Sequence, residues 1–211
     1  MDEARVERVM EKEIPRTFSE GFFADAVVFV EGDTDRVILE TLSERLGQAL
    51  DARGIAVLSM DSKDNCLIPR CILEKLGIRV YIVADADALG ASRKHSGNAA
   101  NQAQAHDSQK KSTEAMMKGL PSSTAVTGTL PYKFEDPTVV TRHWTLFEDD
   151  LEEELSKWPE FMAELAASNA VLRSKSVAAY RAAVSDADLA NVPSTLKTLV
   201  VAIVEFGAST A

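Results

Sequence analysis

Two acidic groups stand out by where they fall. Glu31 follows the apolar run AVVFV (26–30) and opens EGDTD, which also carries Asp35, while Asp85 and Asp87 close the run RVYIVADAD (79–87). Acids leaving a buried strand together repel. Ionised side by side in a low dielectric, each raises the pKa of the others unless a cation is present. Hard divalent cations with oxygen ligands, Mg2+ first, relieve that repulsion. A plainer role is open for each pair. Asp35 could be a helix N-terminal acid stabilised by the macrodipole, and Asp85 and Asp87 could cap the turn after their strand. If that strand stays extended through residue 87, Asp85 and Asp87 point to the same side. That both pairs follow near-continuous apolar runs favours a shared metal site over two unrelated caps.

The elements that must position these acids alternate. AVVFV is short and rich in β-branched residues, as expected of a strand buried on both faces. Val37, Ile38, Leu42 and Leu46 then keep a helical spacing up to Gly47. IAVLSM (55–60) reads as a second strand, 66–76 as a second helix ended by Gly77, and RVYIVADAD as a third strand. Strands and helices alternating over short connections imply right-handed crossovers and a mainly parallel sheet, an α/β fold. Such sheets place ligands beyond the carboxyl ends of their strands, where both acidic groups lie. Residues 3–13 are expected to be helical and closed by Pro15. Residues 91–123, rich in Ala, Asn, Gln, Ser and Lys, are expected to be a partly helical insertion or mobile loop. HWTLF (143–147) reads as a further strand running into EDDLEEEL, and the remainder as helical. That remainder bends at Pro159 and ends in a helix from Pro193 whose Leu196, Leu199, Val200 and Ile203 form one stripe. The expected organisation is a core of 1–90 and 124–150, the insertion 91–123, and a helical region 151–211 completing the domain.

VVFVEGDTD followed by YIVADADALG resembles a Toprim domain, the metal-binding, Rossmann-like fold of topoisomerases, bacterial primases and several nucleases. More narrowly, SEGFFADAVVFVEGDTDRVILETL (19–42) resembles the C-terminal Toprim region of the OLD (overcoming lysogenization defect) family of endonucleases. FEDDL (147–151) is similar to that family's Leu-Glu-x-Asp-Leu segment, with Phe147 in place of Leu. SKSVAAY (174–180) is similar to its Lys-x-x-aromatic-Ala segment, with Ala178 where an aromatic is common. The resemblance runs over 18–90 and 143–180 and skips the insertion. It implies that Glu31, Asp35, Asp85, Asp87, Glu148 and Asp150 surround two divalent metals, with Lys175 as the basic catalytic residue beside Glu31 and Asp85. Glu152 is a further ligand candidate, because the acidic run could supply either it or Glu148; the other acids there read as a solvated helix start. The activity implied is two-metal hydrolysis of DNA phosphodiesters by an endonuclease or nickase of little sequence specificity, with Glu31 as ligand or base. Mg2+ is the expected metal, with Mn2+ or Ca2+ as alternatives. An RNA-processing Toprim nuclease and a non-catalytic metal-binding module are the rival readings. OLD proteins resemble a fusion of an ABC-type ATPase with this region. The chain holds no GxxxxGK[ST] segment, so it is expected to be a fragment of such a fusion or a stand-alone relative, with DNA and an ABC-type ATPase region missing from this chain as its partners.

Length and composition fit these expectations. The 211 residues suit one large domain or two small ones, and 45% hydrophobic with 27% charged residues is ordinary for a soluble globular chain. Disorder, collagen-like repeats and a disulfide scaffold are excluded. No apolar run approaches the roughly 20 residues of a membrane span, and MDEARVERVMEKE lacks a secretory signal's apolar stretch. Cys66 and Cys71 have no second cysteine pair, which argues against zinc and for a reducing, cytoplasmic setting. His95, His106 and His143 are scattered; Tyr81, Trp144 and Trp158 read as packing residues. A net charge of −10 argues at first against nucleic acid. Yet seven of those carboxylates are metal-site candidates. Between 91 and 118, Arg93, Lys94, Lys110, Lys111 and Lys118 outnumber Asp107 and Glu114. That stretch is expected to grip a DNA backbone.

Overall fold

The computed structural model describes residues 16–209, and the helix expected over 3–13 lies outside them. A 3-10 turn over Arg16–Phe23 leads into β1 (Ala26–Val30), α1 (Asp33–Arg45), β2 (Ile55–Ser59), α2 (Leu67–Lys75) and β3 (Arg79–Asp85). Next come α3 (Gly90–Lys94), α4 (Ala99–Gly119), β4 (Ala125–Thr127), β5 (Val139–Thr141) and β6 (Trp144–Phe147). The chain then forms α5 (Leu151–Ser156), α6 (Pro159–Ala167), α7 (Val177–Asp186) and α8 (Ser194–Ala208).

The strands form one sheet in the order β2-β1-β3-β6-β5-β4. β1, β2, β3 and β6 run parallel, with Val28 in register between Val57 and Tyr81, and β5 and β4 extend the sheet antiparallel. The expected α/β class with a mainly parallel sheet is what the chain adopts. The antiparallel edge is an addition that no sequence pattern announces: both strands are three residues long and β4 is exposed throughout. From β1 the chain crosses to β2 on one side and returns to β3 on the other. Strand order therefore reverses between β1 and β3, the position where open sheets of this kind bind ligands.

Two separate cores cover the two faces. β1 sends Ala26, Val28 and Val30 to one and Val27 and Phe29 to the other, and β3 divides Tyr81 and Val83 from Val80, Ile82 and Ala84 in the same way. The first core is filled by Val37, Ile38 and Leu42 of α1 and by the C-terminal helices; the second takes Phe18, Leu73 of α2 and Met116 of α4. Burial on both sides is why these strands read as unbroken apolar runs. Tyr81 is buried with its hydroxyl on the Thr141 carbonyl (2.9 Å) and the Thr145 hydroxyl (2.8 Å). Trp144 and Trp158 pack likewise, their indole N–H groups donating to the Pro121 and Asp188 carbonyls.

Much of the 91–123 insertion is regular helix. α4 runs for 21 residues from an Asn98 cap that accepts the Asn101 N–H at 3.1 Å. It buries only Thr113 and Met116, too little to leave an apolar stripe in the sequence. Among the described residues, no helix is long and apolar enough to cross a membrane.

Candidate metal centre

Each acid reaches the crevice for a local reason. Gly32, extended at φ −134°, is the N-cap of α1 and has no side chain to offer the helix. Asp35, in the first turn, reaches back instead, and its Oδ2 accepts the Gly32 N–H at 2.8 Å. Asp35 is thus a helix-start acid and a buried carboxylate at once. β3 ends on Asp85, whose N–H donates to Glu31 Oε1 at 2.9 Å and so joins the ends of β1 and β3. The chain does not stay extended beyond it: Asp87 is left-handed at φ 56°, with its N–H on the Asp149 carbonyl. Strand alternation therefore does not align Asp85 with Asp87, contrary to the expectation from spacing. Lys63 joins them. It is 3% exposed, and its Nζ donates to the Asp85 carbonyl at 2.7 Å and to Asp87 Oδ2 at 2.8 Å.

Glu152 enters the same region from α5, buried with Leu151 and Leu155, its Oε1 without a hydrogen-bond partner. The electrostatics tie these acids together. Burial pushes the Asp35 carboxyl up to about 7, with the charges of Glu152 and Glu31 adding to it and the Gly32 N–H and Lys175 opposing. Burial also raises Asp85 well above the usual carboxylate range, with further upward pressure from Glu31, Asp35, Asp87 and Glu152. Glu31 is raised by burial, against the pull of the Lys63 ammonium and the Asp85 N–H. Glu152 is raised by burial and by Asp150, with Lys175 drawing it down. Lys175 itself is exposed and left-handed at φ 57°, just before α7, near enough to act on Asp35 and Glu152.

Two expected ligands sit differently. Glu148 is exposed and acts on Tyr132; its carbonyl accepts the Ala88 N–H at 3.2 Å, but its carboxylate is not among the largest influences on Asp85 or Asp35. Asp150 is the N-cap of α5, accepting the Glu153 N–H at 2.8 Å. Arg173 grips both of its oxygens, Nε on Oδ2 at 2.9 Å and Nη2 on Oδ1 at 2.8 Å, and Arg93 adds a contact at 2.7 Å. Arg93 also pairs with Asp149, which accepts the Leu89 N–H. Asp149, Asp150 and Glu153 each offer a carboxylate oxygen within 4.8 Å of the others, a spacing that could hold a divalent cation. Here the two guanidinium groups neutralise them. The acidic run is therefore no solvated helix start: Asp149, Asp150, Glu152 and Glu154 are all buried. Arg93 is committed to these acids, not to a DNA backbone.

The donors suit a hard cation. Glu31, Asp35, Asp85, Asp87 and Glu152 supply only oxygen, the ligand set preferred by Mg2+, Mn2+ and Ca2+. Two buried oxygens there lack partners, Glu152 Oε1 and Thr34 Oγ1, and the latter borders Gly32 together with Asp35 Oδ2. Lys63, Asp149 and Arg173 escaped sequence reasoning. For Lys63 the signal was topological, because it lies in the segment just beyond the carboxyl end of β2, on the edge that carries the acids.

A mostly parallel sheet with acids gathered at its strand-order reversal is the arrangement of a Toprim-type α/β domain. Residues 22–87 match the family model described as the Overcoming lysogenization defect protein-like, TOPRIM domain, so the chain matches the Toprim domain of OLD proteins. The fold is similar to the C-terminal region of the Xanthomonas campestris pv. campestris OLD protein, at 18% identity and a TM-score of 0.53, covering 89% of this chain and 98% of that one. It is also similar to the C-terminal region of the Burkholderia pseudomallei OLD protein, at 16% identity and a TM-score of 0.55, covering 88% of this chain and 100% of that one. At these identities the likeness is one of fold. No curated protein matches the chain.

Proposed function

We infer that this domain is a divalent-metal-dependent nuclease that hydrolyses DNA phosphodiesters, with Glu31, Asp35, Asp85, Asp87 and Glu152 holding the metal ions. The observation that carries this reading is the set of buried and half-buried, mutually repelling carboxylates where strand order reverses, with Glu152 Oε1 and the nearby Thr34 Oγ1 left without partners. When bound, divalent cations supply the positive charge that polarises a phosphodiester and makes water a stronger acid. The chain supplies the rest. Glu31 Oε1 is taken by the Asp85 N–H, which leaves Oε2 for a cation or for the proton of an attacking water. Lys63 fixes the Asp85–Asp87 turn, and the exposed Lys175 ammonium is free to meet charge that builds on a phosphate. Asp150 serves this site as the anchor of α5 and Arg173, and a second reading in which it joins Asp149 and Glu153 around a cation requires the guanidinium groups to move aside. An ABC-type ATPase region acting with this domain is part of the proposal, resting on the likeness to OLD proteins.

Supercoiled plasmid incubated with Mg2+, Mn2+ or Ca2+ tests the reading. Relaxed and linear products are expected from the unaltered protein, with losses of at least about 100-fold in Glu31→Ala and Lys175→Ala. Glu152→Gln is expected to lose far more than Glu148→Gln. Undiminished cutting by Glu31→Ala would overturn this assignment of the site, metal-dependent folding without any cleavage would leave only a structural metal module, and cleavage of structured RNA in preference to duplex DNA would move the substrate class.

A further inference from the structure

Beside the metal centre, α4 and the segment 131–134 enclose a groove of about 520 Å³ lined by Lys110, Thr113, Lys118, Tyr132, Lys133 and Phe134, with Glu114 and Met117 completing it. Its floor touches the acidic site. Thr113 Oγ1 donates to the carbonyl of Ala86, the residue between Asp85 and Asp87, at 3.4 Å. The wall is braced from α4: the His106 ring meets Phe134 edge to face at 5.2 Å, and His106 Nε2 lies 2.8 Å from Glu135 Oε1. The cations of the insertion divide accordingly. Arg93 and Lys111 are spent on Asp149 and Asp107. Lys110, Lys118 and Lys133 are exposed and, among the described residues, have no carboxylate within 4.0 Å. Between them lie two partly exposed aromatic rings, and the Tyr132 hydroxyl is buried without a hydrogen-bond partner.

We propose that this groove binds an unpaired nucleic-acid strand next to the metal centre, Lys110, Lys118 and Lys133 meeting its phosphates and the Tyr132 and Phe134 rings meeting its bases. Unpaired ammonium groups alternating with aromatic faces match the repeat of phosphate and base, and an acidic peptide has no use for the rings. A duplex, gripped by its backbone, hides its base faces, whereas a splayed strand presents them to a concave wall of this size. The buried hydrogen bond from Thr113 to Ala86 fixes the groove's floor against the turn carrying Asp85 and Asp87, so a strand held there lies alongside the acidic site. The proposal deepens the nuclease reading and rests on it for the position of the scissile bond.

Binding of fluorescein-labelled oligothymidylate to the intact chain in EDTA, followed by anisotropy, separates the two. The combined Lys110→Ala, Lys118→Ala, Lys133→Ala variant is expected to bind at least about tenfold more weakly. Its plot of log affinity against log salt should be shallower by about 2, the share of three phosphates on a single strand. Phe134→Leu keeps the bulk and removes the ring, and is expected to cost about fivefold. Unchanged affinity in a lysine variant that melts like the unaltered protein overturns the proposal, as does equal competition by polyglutamate. Duplex binding as tight as oligothymidylate binding and indifferent to Phe134→Leu overturns it too. If the oligonucleotide binds through the groove but plasmid stays intact in Mg2+, the groove stands and the nuclease reading fails. If plasmid is cut with unchanged KM by the lysine variant, the reverse holds.

Discussion

Lys63 is the residue whose surroundings contrast most with its type. A lysine 3% exposed, donating to the Asp85 carbonyl and the Asp87 carboxylate, is a cation built into the middle of an acidic site. It lowers the repulsion that Glu31 feels, so the acids can stay together before any metal arrives. Replacing it with Met keeps the stem and deletes the charge, leaving a buried carbonyl and a partly buried carboxylate unpaired. The loss is expected at about 2–4 kcal/mol in urea unfolding with EDTA present. A divalent cation can take over the same electrostatic task. The gap in melting temperature between EDTA and excess Mg2+ is therefore expected to be wider in Lys63→Met than in the unaltered protein, and equal gaps would show that Lys63 is not the internal counter-ion. A lone lysine in a polar loop carries no periodic signal, which is why its role emerges only from where β2 ends.

At the scale of elements, α5 links the metal centre to both of its flanks. Asp150 caps α5, holds Arg173 of the segment before α7, and holds Arg93 of α3. Asp150→Ala removes a cap worth about 1 kcal/mol and frees two guanidinium groups; an overall loss of about 1–3 kcal/mol is expected in chemical unfolding. Since Arg173 lies two residues from Lys175, cleavage is expected to fall even in conditions where the variant stays folded. A change confined to stability would detach Lys175 from this anchor. The elements differ in how far sequence announces them. β1, β2, β3, β6, α1 and α2 are legible because each buries enough side chains to set a period. β4 buries none and β5 only three, and α4 buries only Thr113 and Met116, with Met117 half-buried against the core. Glu31, Asp35, Asp85 and Asp87 are legible as acids at strand ends. Glu152 is obscured because any acid in EDDLEEEL could face inward until the phase of α5 decides it.

At the scale of the whole molecule, the acid cluster should govern the response to pH. Asp35 is raised to about 7, and Glu31, Asp85 and Glu152 are raised as well, so between the ordinary carboxylate range and these values the folded chain holds protons that the unfolded chain has released. The cluster's contribution to stability without metal is thus greatest at acid pH and lost as pH rises through the raised values, by about 1.4 kcal/mol per pH unit for each proton retained. Melting curves in EDTA are expected to fall from about pH 5 to about pH 8, with Asp35→Asn flattening the slope and Mg2+ removing most of it; a level profile in EDTA would refute the coupling. The way β1 divides its side chains between two cores has a further consequence for insertions and deletions. A shift of one residue in 26–30 would exchange all five side chains between the two layers and turn Glu31 away from Asp85. Lineages related to this chain should vary in length around 120–138, where the backbone crosses the sheet's outer edge, and keep the spacing from Ala26 to Asp35 unchanged.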